Sequence, residues 1–478
     1  MGAPRDEGHV LAAPCEPRAE IAADAAGPDD CDAHADTRPE KAELYCGTPA
    51  HRDGVASVAT SPVDRPGRPR NTPFPASSPP SCSRMSSASP LVPHVAARMA
   101  DIEPFHVVVL VTRAKELEAQ GRSIVNLVIG EPDAPTAAPI AEAGIRAIQS
   151  GQVRYTPGLG TTELRRAIAE WYRSRYGVDV PYARIGVMPG SSGALLMTMG
   201  VLLSPGDEVL MADPSYPCNR HFARAMEGRP VGIPVDSTTG YQLTAERVAR
   251  HWSPRTRAVM LATPSNPTGT LIPFDELRAI HDVVRERGGV LIVDEIYHGL
   301  TYGERDRTVL EIADDVFVIN SFSKYFGMTG WRLGWMVAPD AYMPDVEKLA
   351  QNLFISASDI AQQAAIAAFS PEAVAVHEAR RAAFREQRDF LLPRLRALGF
   401  DIKGEPQGAF YLYANCGKLT DDSYTFCLDV LEKAGVAIAP GLDFGAHRAS
   451  QHVRFSYPKP IPVLAEGVAR LEHYLRSR

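Results

Sequence analysis

The sequence predicts an α/β fold in which a mostly parallel sheet is covered by helices, followed by a smaller α+β segment. Short, continuous apolar runs are typical of strands buried on both faces, and here they alternate with stretches of helical period. The apolar runs fall at residues 209–212, 258–262, 290–293 and 316–319, and the helical patterns include residues 107–120 and 162–176. After residue 340, a long helical stretch over residues 342–398 precedes candidate strands at residues 410–413 and 453–456.

Size and composition are those of a globular protein that needs no disulfide or structural metal to fold. The chain has 478 residues, of which 45% are hydrophobic and 22% charged, and its formal net charge is −7. This acidic balance gives no reason to expect nucleic acid or an acidic membrane as a partner. No apolar run approaches the roughly 18 residues of a membrane-spanning helix, so we expect no membrane segment.

The seven cysteines lie at irregular spacings and form no C-x-x-C pair. The sequence therefore predicts no metal site. An odd number of scattered cysteines is typical of free thiols in a reducing compartment. The N-terminus also lacks the basic segment followed by an apolar one that marks a secretory signal. We therefore expect a cytoplasmic protein.

The first 84 residues differ from the rest of the chain. They are rich in Ala, Pro, Asp and Arg and show neither strand nor helix period, which predicts a disordered extension that reaches to about residue 94. Met85 is a candidate for the true start of the native protein. The alternatives are a genuine unstructured extension or an organelle-directing leader, although acidic residues count against a leader.

Lys324 follows the candidate strand at residues 316–319, at the end of the segment Asn-Ser-Phe-Ser-Lys. In open α/β sheets, functional residues gather beyond the carboxyl ends of the strands. A lysine amine can form a Schiff base with an aldehyde cofactor when its pKa is lowered enough to make it nucleophilic. The alternative is an ordinary solvated lysine on the surface.

Asp294 and Tyr297 follow the run at residues 290–293, and Asn266 lies in a proline-flanked turn after residues 258–262. A carboxylate at the end of a buried strand needs a partner, and a protonated pyridine nitrogen is a suitable one. Tyr297 could then donate a hydrogen bond to the phenolic oxygen of the same ring. The alternative is that Asp294 caps a following helix.

A phosphate site is indicated by the segment Pro-Gly-Ser-Ser-Gly at residues 189–193, which precedes a helical run. Small residues at a helix N-terminus expose backbone N–H groups and the positive end of the helix dipole. The segment is neither a P-loop nor the glycine fingerprint of dinucleotide-binding proteins. Arg332, eight residues after Lys324, could bind the same phosphate.

These clusters, in this order, resemble the class I/II aminotransferases, which are pyridoxal-phosphate (PLP) enzymes of fold type I, like aspartate aminotransferase. The motifs that carry the resemblance are DPSYP at Asp213, NPTG at Asn266, DEIY at Asp294, SFSK ending at Lys324, GWRLG around Arg332 and VRFSY at Val453. The resemblance covers the chain from about residue 95 to its end. It implies a large domain with a seven-stranded, mostly parallel sheet and a smaller α+β domain.

We expect four segments in such a protein. Residues 1–94 form the extension, and residues 95–140 an N-terminal arm with part of the small domain. Residues 141–340 form the large domain that binds PLP, and residues 341–478 a long linking helix with the C-terminal small domain.

The resemblance implies a role for each matching position around the cofactor ring. Lys324 would form the Schiff base with PLP and later act as the base for proton transfer at the substrate α-carbon. Asp294 would keep the pyridine nitrogen protonated. Tyr297 and Asn266 would bond the ring hydroxyl oxygen, and Tyr216 would stack on the ring face.

The resemblance also implies the residues that bind phosphate and substrate. The phosphate would be bound by Ser191, Ser192, Ser321, Ser323 and Arg332. Ser321 matches the family better than Ser323, for which orientation of Lys324 is the alternative role. Arg454 would bind the substrate α-carboxylate with help from Asn266, near Gly130 in a flexible segment. Tyr155 matches a tyrosine that reaches the partner subunit's phosphate, which implies a homodimer with shared active sites.

The activity implied is that of an aminotransferase, which moves an amino group from an L-amino acid to a 2-oxo acid. No second arginine suited to a dicarboxylic side chain is found, so we expect a neutral aliphatic or aromatic donor. Two alternatives remain open. A C–S lyase or another β/γ-eliminating enzyme of this fold would use the same lysine, aspartate and arginine. A transcriptional regulator with an aminotransferase-like domain would need a DNA-binding module, whose periodic helices and basic face residues 1–94 lack.

Overall fold

The computed structural model describes residues 94–303 and 305–478 of the chain. The predictions for residues 1–93, a disordered extension with a candidate start at Met85, lie outside these residues. Within the described part, no helix has both the length and the apolar character of a membrane span.

The strands of the described residues form three sheets. In chain order they are β1 (Val125–Asn126), β2 (Ile185–Met188), β3 (Glu208–Asp213), β4 (Arg229–Pro234), β5 (Thr256–Ala262), β6 (Val290–Asp294), β7 (Phe317–Ser321), β8 (Gly334–Val337), β9 (Tyr411–Asn415), β10 (Val436–Ala437), β11 (Ala439–Pro440) and β12 (His452–Ser456). The four predicted apolar runs fall within or overlap β3, β5, β6 and β7.

The largest sheet has seven strands in the order β2-β8-β7-β6-β5-β3-β4. The pairs between β4 and β7 are parallel, whereas β8 is antiparallel to both β2 and β7. This confirms the predicted seven-stranded, mostly parallel sheet. Because β5, β6 and β7 run in one direction, the polar residues that follow them lie along one edge of the sheet.

The core explains why the central strands are continuously apolar. Successive side chains of a strand point to opposite faces of its sheet. In β6, Leu291 and Val293 pack into one hydrophobic cluster and Ile292 into the other. Helices cover both faces, so neither face of these strands can be polar.

The helices alternate with these strands. In chain order they are α1 (His106–Ala119), α2 (Ala138–Gln149), α3 (Thr162–Tyr176), α4 (Gly190–Leu202), α5 (Pro217–Ala225), α6 (Ala245–His251), α7 (Phe274–Glu286), α8 (Met343–Leu353), α9 (Asp359–Ile366), α10 (Pro371–Ala397), α11 (Ser423–Asp429) and α12 (Ile461–Arg476). The predicted helices at residues 107–120 and 162–176 correspond to α1 and α3.

The long helical stretch predicted over residues 342–398 is wrong as a single element, because it consists of α8, α9 and α10. Ile355 has a φ of +64°, which ends α8. Ser358 then caps α9 by accepting a hydrogen bond from Ala361 N, and Ser370 caps α10 by accepting one from Ala373 N. Pro371 at the first position of α10 strengthens this restart.

The smaller sheets belong to the α+β part of the chain. β9, β12 and β11 form an antiparallel sheet in which Arg454 lies opposite Tyr413. The predicted strands at residues 410–413 and 453–456 correspond to β9 and β12. β1 pairs in parallel with β10, so the segment before the large sheet is joined to the segment after it.

Candidate active site

A cavity of about 300 Å³ lies at the edge where β5, β6 and β7 end. Eleven of the thirteen predicted site residues line it: Gly130, Ser191, Ser192, Tyr216, Asn266, Asp294, Tyr297, Ser323, Lys324, Arg332 and Arg454. The other two, Ser321 and Tyr155, are not among its lining residues. The volume suits a small aromatic cofactor with a small substrate.

Lys324 extends into the cavity from the loop after β7. Its Nζ donates a hydrogen bond to the carbonyl oxygen of Gly130 at 2.6 Å. Desolvation, together with the Arg454 guanidinium, lowers the pKa of Lys324 to about 8. A larger fraction of this amine is therefore uncharged near neutral pH than in an ordinary lysine, as a nucleophile or base requires.

Asp294 is the last residue of β6 and is 4% exposed. Its Oδ1 accepts a hydrogen bond from Ile296 N at 3.1 Å. Burial raises the pKa of Asp294 to about 7, and the attraction of Lys324 does not offset this rise. Residues 296–299 form a turn and no α-helix, so Asp294 does not act as a helix cap. The protonated nitrogen of a pyridine ring would supply the missing positive charge.

The first turn of α4 and the side chain of Arg332 form a concave anion site. A Cβ built on Gly190 would lie only 2.5 Å from Nη2 of Arg332, so the guanidinium packs directly against the backbone of Gly190. Ser191 and Ser192 follow in the same turn, where N–H groups have no partner within the helix. Two sources of positive charge thus converge, and they fit a phosphate group.

The two serines before Lys324 differ in position. Ser323 lines the cavity. Ser321 lies behind it, with its Oγ 2.9 Å from Ser323 Oγ and 3.1 Å from the carbonyl oxygen of Leu333. In this structure Ser323 is therefore the better placed of the two to reach a phosphate, whereas the motif match favoured Ser321.

Arg454 is a buried cation at the centre of β12, only 4% exposed. Its Nη1 donates to Asn266 Oδ1 at 2.9 Å and its Nη2 to the carbonyl oxygen of Val128 at 2.7 Å. Among the described residues it forms no salt bridge, and its Nε has no hydrogen-bond partner. A buried charge of this kind requires an anion, and a carboxylate matches the geometry of a guanidinium.

Several lining residues carried no signal in the sequence. The hydroxyl of Tyr411 lies 2.7 Å from that of Tyr297, and the Arg454 guanidinium lies 4.4 Å from the centre of its ring. A tyrosine within an apolar strand is indistinguishable from a core residue by pattern alone. The other residues missed include Phe105, Val107, Val108, Asp443 and Phe444.

Tyr216 and Tyr155 occupy contrasting positions. Tyr216 precedes α5 and lines the cavity, and burial raises its pKa. Tyr155 is 83% exposed, on the surface of the chain. In this single chain the Tyr155 side chain thus contributes nothing to the cavity.

Comparison with known proteins gives one consistent family. The model of "Aminotransferase class I and II" matches residues 122–470. The valine–pyruvate aminotransferase of Mycobacterium tuberculosis is 38% identical over 384 residues, which cover 80% of this chain and 99% of that protein. The aspartate aminotransferase of Geobacillus stearothermophilus is 33% identical, covering 80% of this chain and 99% of that protein.

Solved structures agree with these relatives. An aminotransferase from Mycobacterium tuberculosis superposes with a TM-score of 0.78 at 38% identity, covering 81% of this chain and 100% of that chain. Aspartate aminotransferase from Thermus thermophilus with maleate gives 0.76 at 32% identity, covering 80% and 100%. Both comparisons confirm the predicted fold and favour transamination over an eliminating lyase. The chain belongs to the class I and II aminotransferases, and it is a PLP-dependent transaminase.

Proposed function

We propose that the chain transfers the amino group of a neutral aliphatic or aromatic L-amino acid to a 2-oxo acid. The supporting observation is the number of cations in the cavity. Lys324, Arg332 and Arg454 are the cationic side chains among its described lining residues. Their assigned partners are the cofactor aldehyde, the cofactor phosphate and the substrate α-carboxylate, so none remains for a carboxylate on the donor side chain.

The apolar lining supports the same donor class. Phe105, Val107 and Val108 of the α1 region and Phe444 face the cavity. Contact with such groups favours an apolar side chain by about 0.8 kcal/mol for each buried methylene. The name of the Mycobacterium tuberculosis relative, a valine–pyruvate aminotransferase, points in the same direction.

The contacts in the cavity support a role for each of these residues. When bound, PLP supplies an aldehyde that accepts the amino group and a ring that withdraws electrons from the donor α-carbon. Arg454 binds the α-carboxylate through two N–H groups, and Asn266 Oδ1 fixes the guanidinium plane. Lys324 Nζ, whose uncharged fraction is increased by its lowered pKa, takes the proton from the α-carbon. Asp294 keeps the proton on the pyridine nitrogen.

The cofactor is held at its other end by the anion site. The N–H groups of the first α4 turn and the Arg332 guanidinium bind the phosphate, with Ser323 contributing its hydroxyl. Tyr297 and Asn266 bond the ring hydroxyl oxygen, and Tyr216 packs on the ring. With both ends fixed, the reacting carbon remains close to Lys324 Nζ.

We also propose a homodimer with shared active sites. Tyr155 is exposed beside an apolar surface that includes Val153, Leu353 and Ile355, which are 43%, 46% and 54% exposed. Hydrogen bonds from Arg154 N to Asp359 and from Thr156 N to Ser356 hold these two segments together. Exposed apolar residues grouped on neighbouring segments are typical of an interface.

Subunit mixing tests the shared site. Lys324→Ala and Tyr155→Ala homodimers should each be impaired, whereas a mixed dimer should regain one complete site, since each subunit supplies what the other lacks. Activity of the mixed dimers no higher than the average of the two variant homodimers would contradict the proposal.

We further propose a cytoplasmic location, supported by the free thiols of Cys218, Cys416 and Cys427 in the described part of the chain.

The donor class is tested by spectral titration of the purified holoenzyme with each amino acid. Neutral donors should convert the absorbance of the aldehyde form at least about tenfold faster than aspartate or glutamate. Conversion by aspartate or glutamate that is as fast as conversion by neutral donors would refute the proposed donor class.

Borohydride reduction tests the role of Lys324. It should attach the cofactor covalently to the protein, and peptide mapping should locate it on the peptide that contains Lys324.

A further inference from the structure

We propose that Asp443 is a positioning residue that sets the size of donor side chain the enzyme prefers. It does so by holding the start of α1 against the cavity. This inference rests on the proposed function, a transaminase for neutral donors. The α1 wall is defined here as Phe105, Val107 and Val108, three cavity-lining residues at the N-terminal end of α1.

Asp443 is hydrogen-bonded to the first turn of α1 across 337 residues of sequence. Its Oδ1 accepts from His106 N at 2.7 Å, and its Oδ2 accepts from Val107 N at 2.7 Å. Nδ1 of His106 lies 3.1 Å from the same Oδ1. Asp443 therefore supplies both oxygens to the backbone, as an N-cap residue supplies one.

The start of α1 has no capping group of its own. Phe105 occupies the N-cap position and makes no side-chain hydrogen bond there. Asp443 is 3% exposed, so its carboxylate is held in place by these contacts and not by water. A buried carboxylate at a helix N-terminus is stabilised by two charge-assisted bonds and by the helix dipole. The position of the first turn is thus fixed by Asp443.

The α1 wall lies where the donor side chain must be. Phe444, the neighbour of Asp443, lies 4.8 Å below the Arg454 guanidinium that we assign to the α-carboxylate. The side chain of an amino acid is attached to the carbon that bears this carboxylate, so it extends toward groups around this arginine. Val108 is 59% exposed, which places the α1 wall at the mouth of the cavity.

Asp443 also lines the cavity itself. Its carboxylate in the cavity lining opposes a side-chain carboxylate, while the α1 wall that it holds contacts an apolar side chain. One residue therefore favours neutral donors in two ways: it orders the apolar surface and it repels a second acid.

The test compares alanine, valine, leucine and aspartate as donors for the wild-type holoenzyme and Asp443→Asn. An amide keeps one acceptor oxygen, so one α1 N–H loses its partner and the charge is removed. We expect kcat/KM for valine and leucine to fall by about tenfold, mainly through KM, since two further methyl groups lose their contact. For alanine the fall should be less than about threefold, because alanine barely reaches the α1 wall. Affinity for PLP should not change.

Two further variants separate positioning from general damage. Asp236→Asn removes another N-cap carboxylate, which accepts from Thr238 N at 2.9 Å at an exposed turn away from the cavity, and should leave the donor ratios unchanged. Phe105→Ala keeps Asp443 but shortens the α1 wall, and should lower the leucine-to-alanine ratio. Should Asp443→Asn fail to fold, an unchanged ratio in Phe105→Ala would still overturn the inference, because Asp443 is proposed to act through the α1 wall.

The outcomes distinguish this inference from the proposed function. An equal fall for all donors, or unchanged ratios in Asp443→Asn and Phe105→Ala, would overturn the role of Asp443 and the α1 wall. A wild-type enzyme that prefers aspartate to valine would instead overturn the proposed donor class, whatever the variants do.

Discussion

Gly190→Ala should weaken cofactor binding because of one close approach. Gly190 begins α4 with a φ of +74°, and an added Cβ would lie 2.5 Å from Nη2 and 3.2 Å from Cζ of Arg332. Contacts that short do not occur between a Cβ and a nitrogen, so the guanidinium must move. Arg332 has little freedom to do so, because its own φ is +53° and its Nη1 is bonded to Thr329 O.

The expected magnitude has two parts. Placing alanine in the left-handed region costs roughly 1–2 kcal/mol of stability. Displacing Arg332 removes a charge-assisted hydrogen bond to the phosphate, worth about 1.5–3 kcal/mol. The second part corresponds to a roughly 10- to 100-fold weaker affinity for PLP.

Gly177→Ala is the matched control. Gly177 has a φ of +75° at the end of α3, and an added Cβ there meets no atom within 4 Å. Both variants should lose similar stability in urea denaturation of the cofactor-free proteins. Only Gly190→Ala should lose affinity in a fluorescence titration with PLP. Equal affinity for PLP in the two variants would refute the proposed contact between Arg332 and the phosphate.

Three other predictions concern single groups of the cavity. Burial raises the pKa of Asp294 from 3.8 to about 7, so the folded cofactor-free protein retains a proton that the unfolded chain releases. Its free energy of unfolding should therefore fall as the pH rises from about 4 to 7. In urea denaturation, Asp294→Asn should lack this contribution to the pH dependence of stability. The pKa of Lys324 is lowered to about 8, so acylation of Lys324 in the cofactor-free protein, followed by peptide mass spectrometry, should reach half its maximal rate near pH 8. Tyr411→Phe removes a hydroxyl bonded to Tyr297 and keeps the ring beside Arg454; kcat should fall about fivefold, with a smaller change in donor KM and a shifted pH titration of the holoenzyme spectrum. An unchanged titration would contradict the coupling of the two tyrosines.

The sequence predicted the part of the site that local pattern determines. Lys324, Asp294 and Asn266 each follow a continuous apolar run, and parallel strands bring such positions to one edge. Arg454 was predicted through its motif, and its burial without an anionic partner could be seen only in the structure. The caps that interrupt the 342–398 stretch were present in the sequence as Ser358 and Ser370, but the helical period on either side outweighed them.

The residues that were missed are placed by contacts distant in sequence. Asp443 reaches α1 across 337 residues, and Tyr411 reaches Tyr297 across 114. Such contacts leave no periodic or local signal in the sequence, because the two residues meet only once the chain between them has folded. The two-residue strands β1, β10 and β11 were missed for a similar reason, since a pair of residues has no measurable period.

The charges of the cavity explain why selectivity for the substrate side chain must come from residues other than the catalytic groups. Without ligands, Arg454 is a buried cation with no anion among the described residues, and Asp294 is a buried acid with its pKa raised. PLP and an α-carboxylate would satisfy both. Every amino donor and every 2-oxo acceptor carries that carboxylate, so Arg454 holds both substrates of the two half-reactions equally and cannot distinguish between them. Binding energy common to all substrates provides no selectivity. Discrimination must therefore come from surfaces that contact only the side chain, and in this chain the α1 wall and Asp443 provide such a surface.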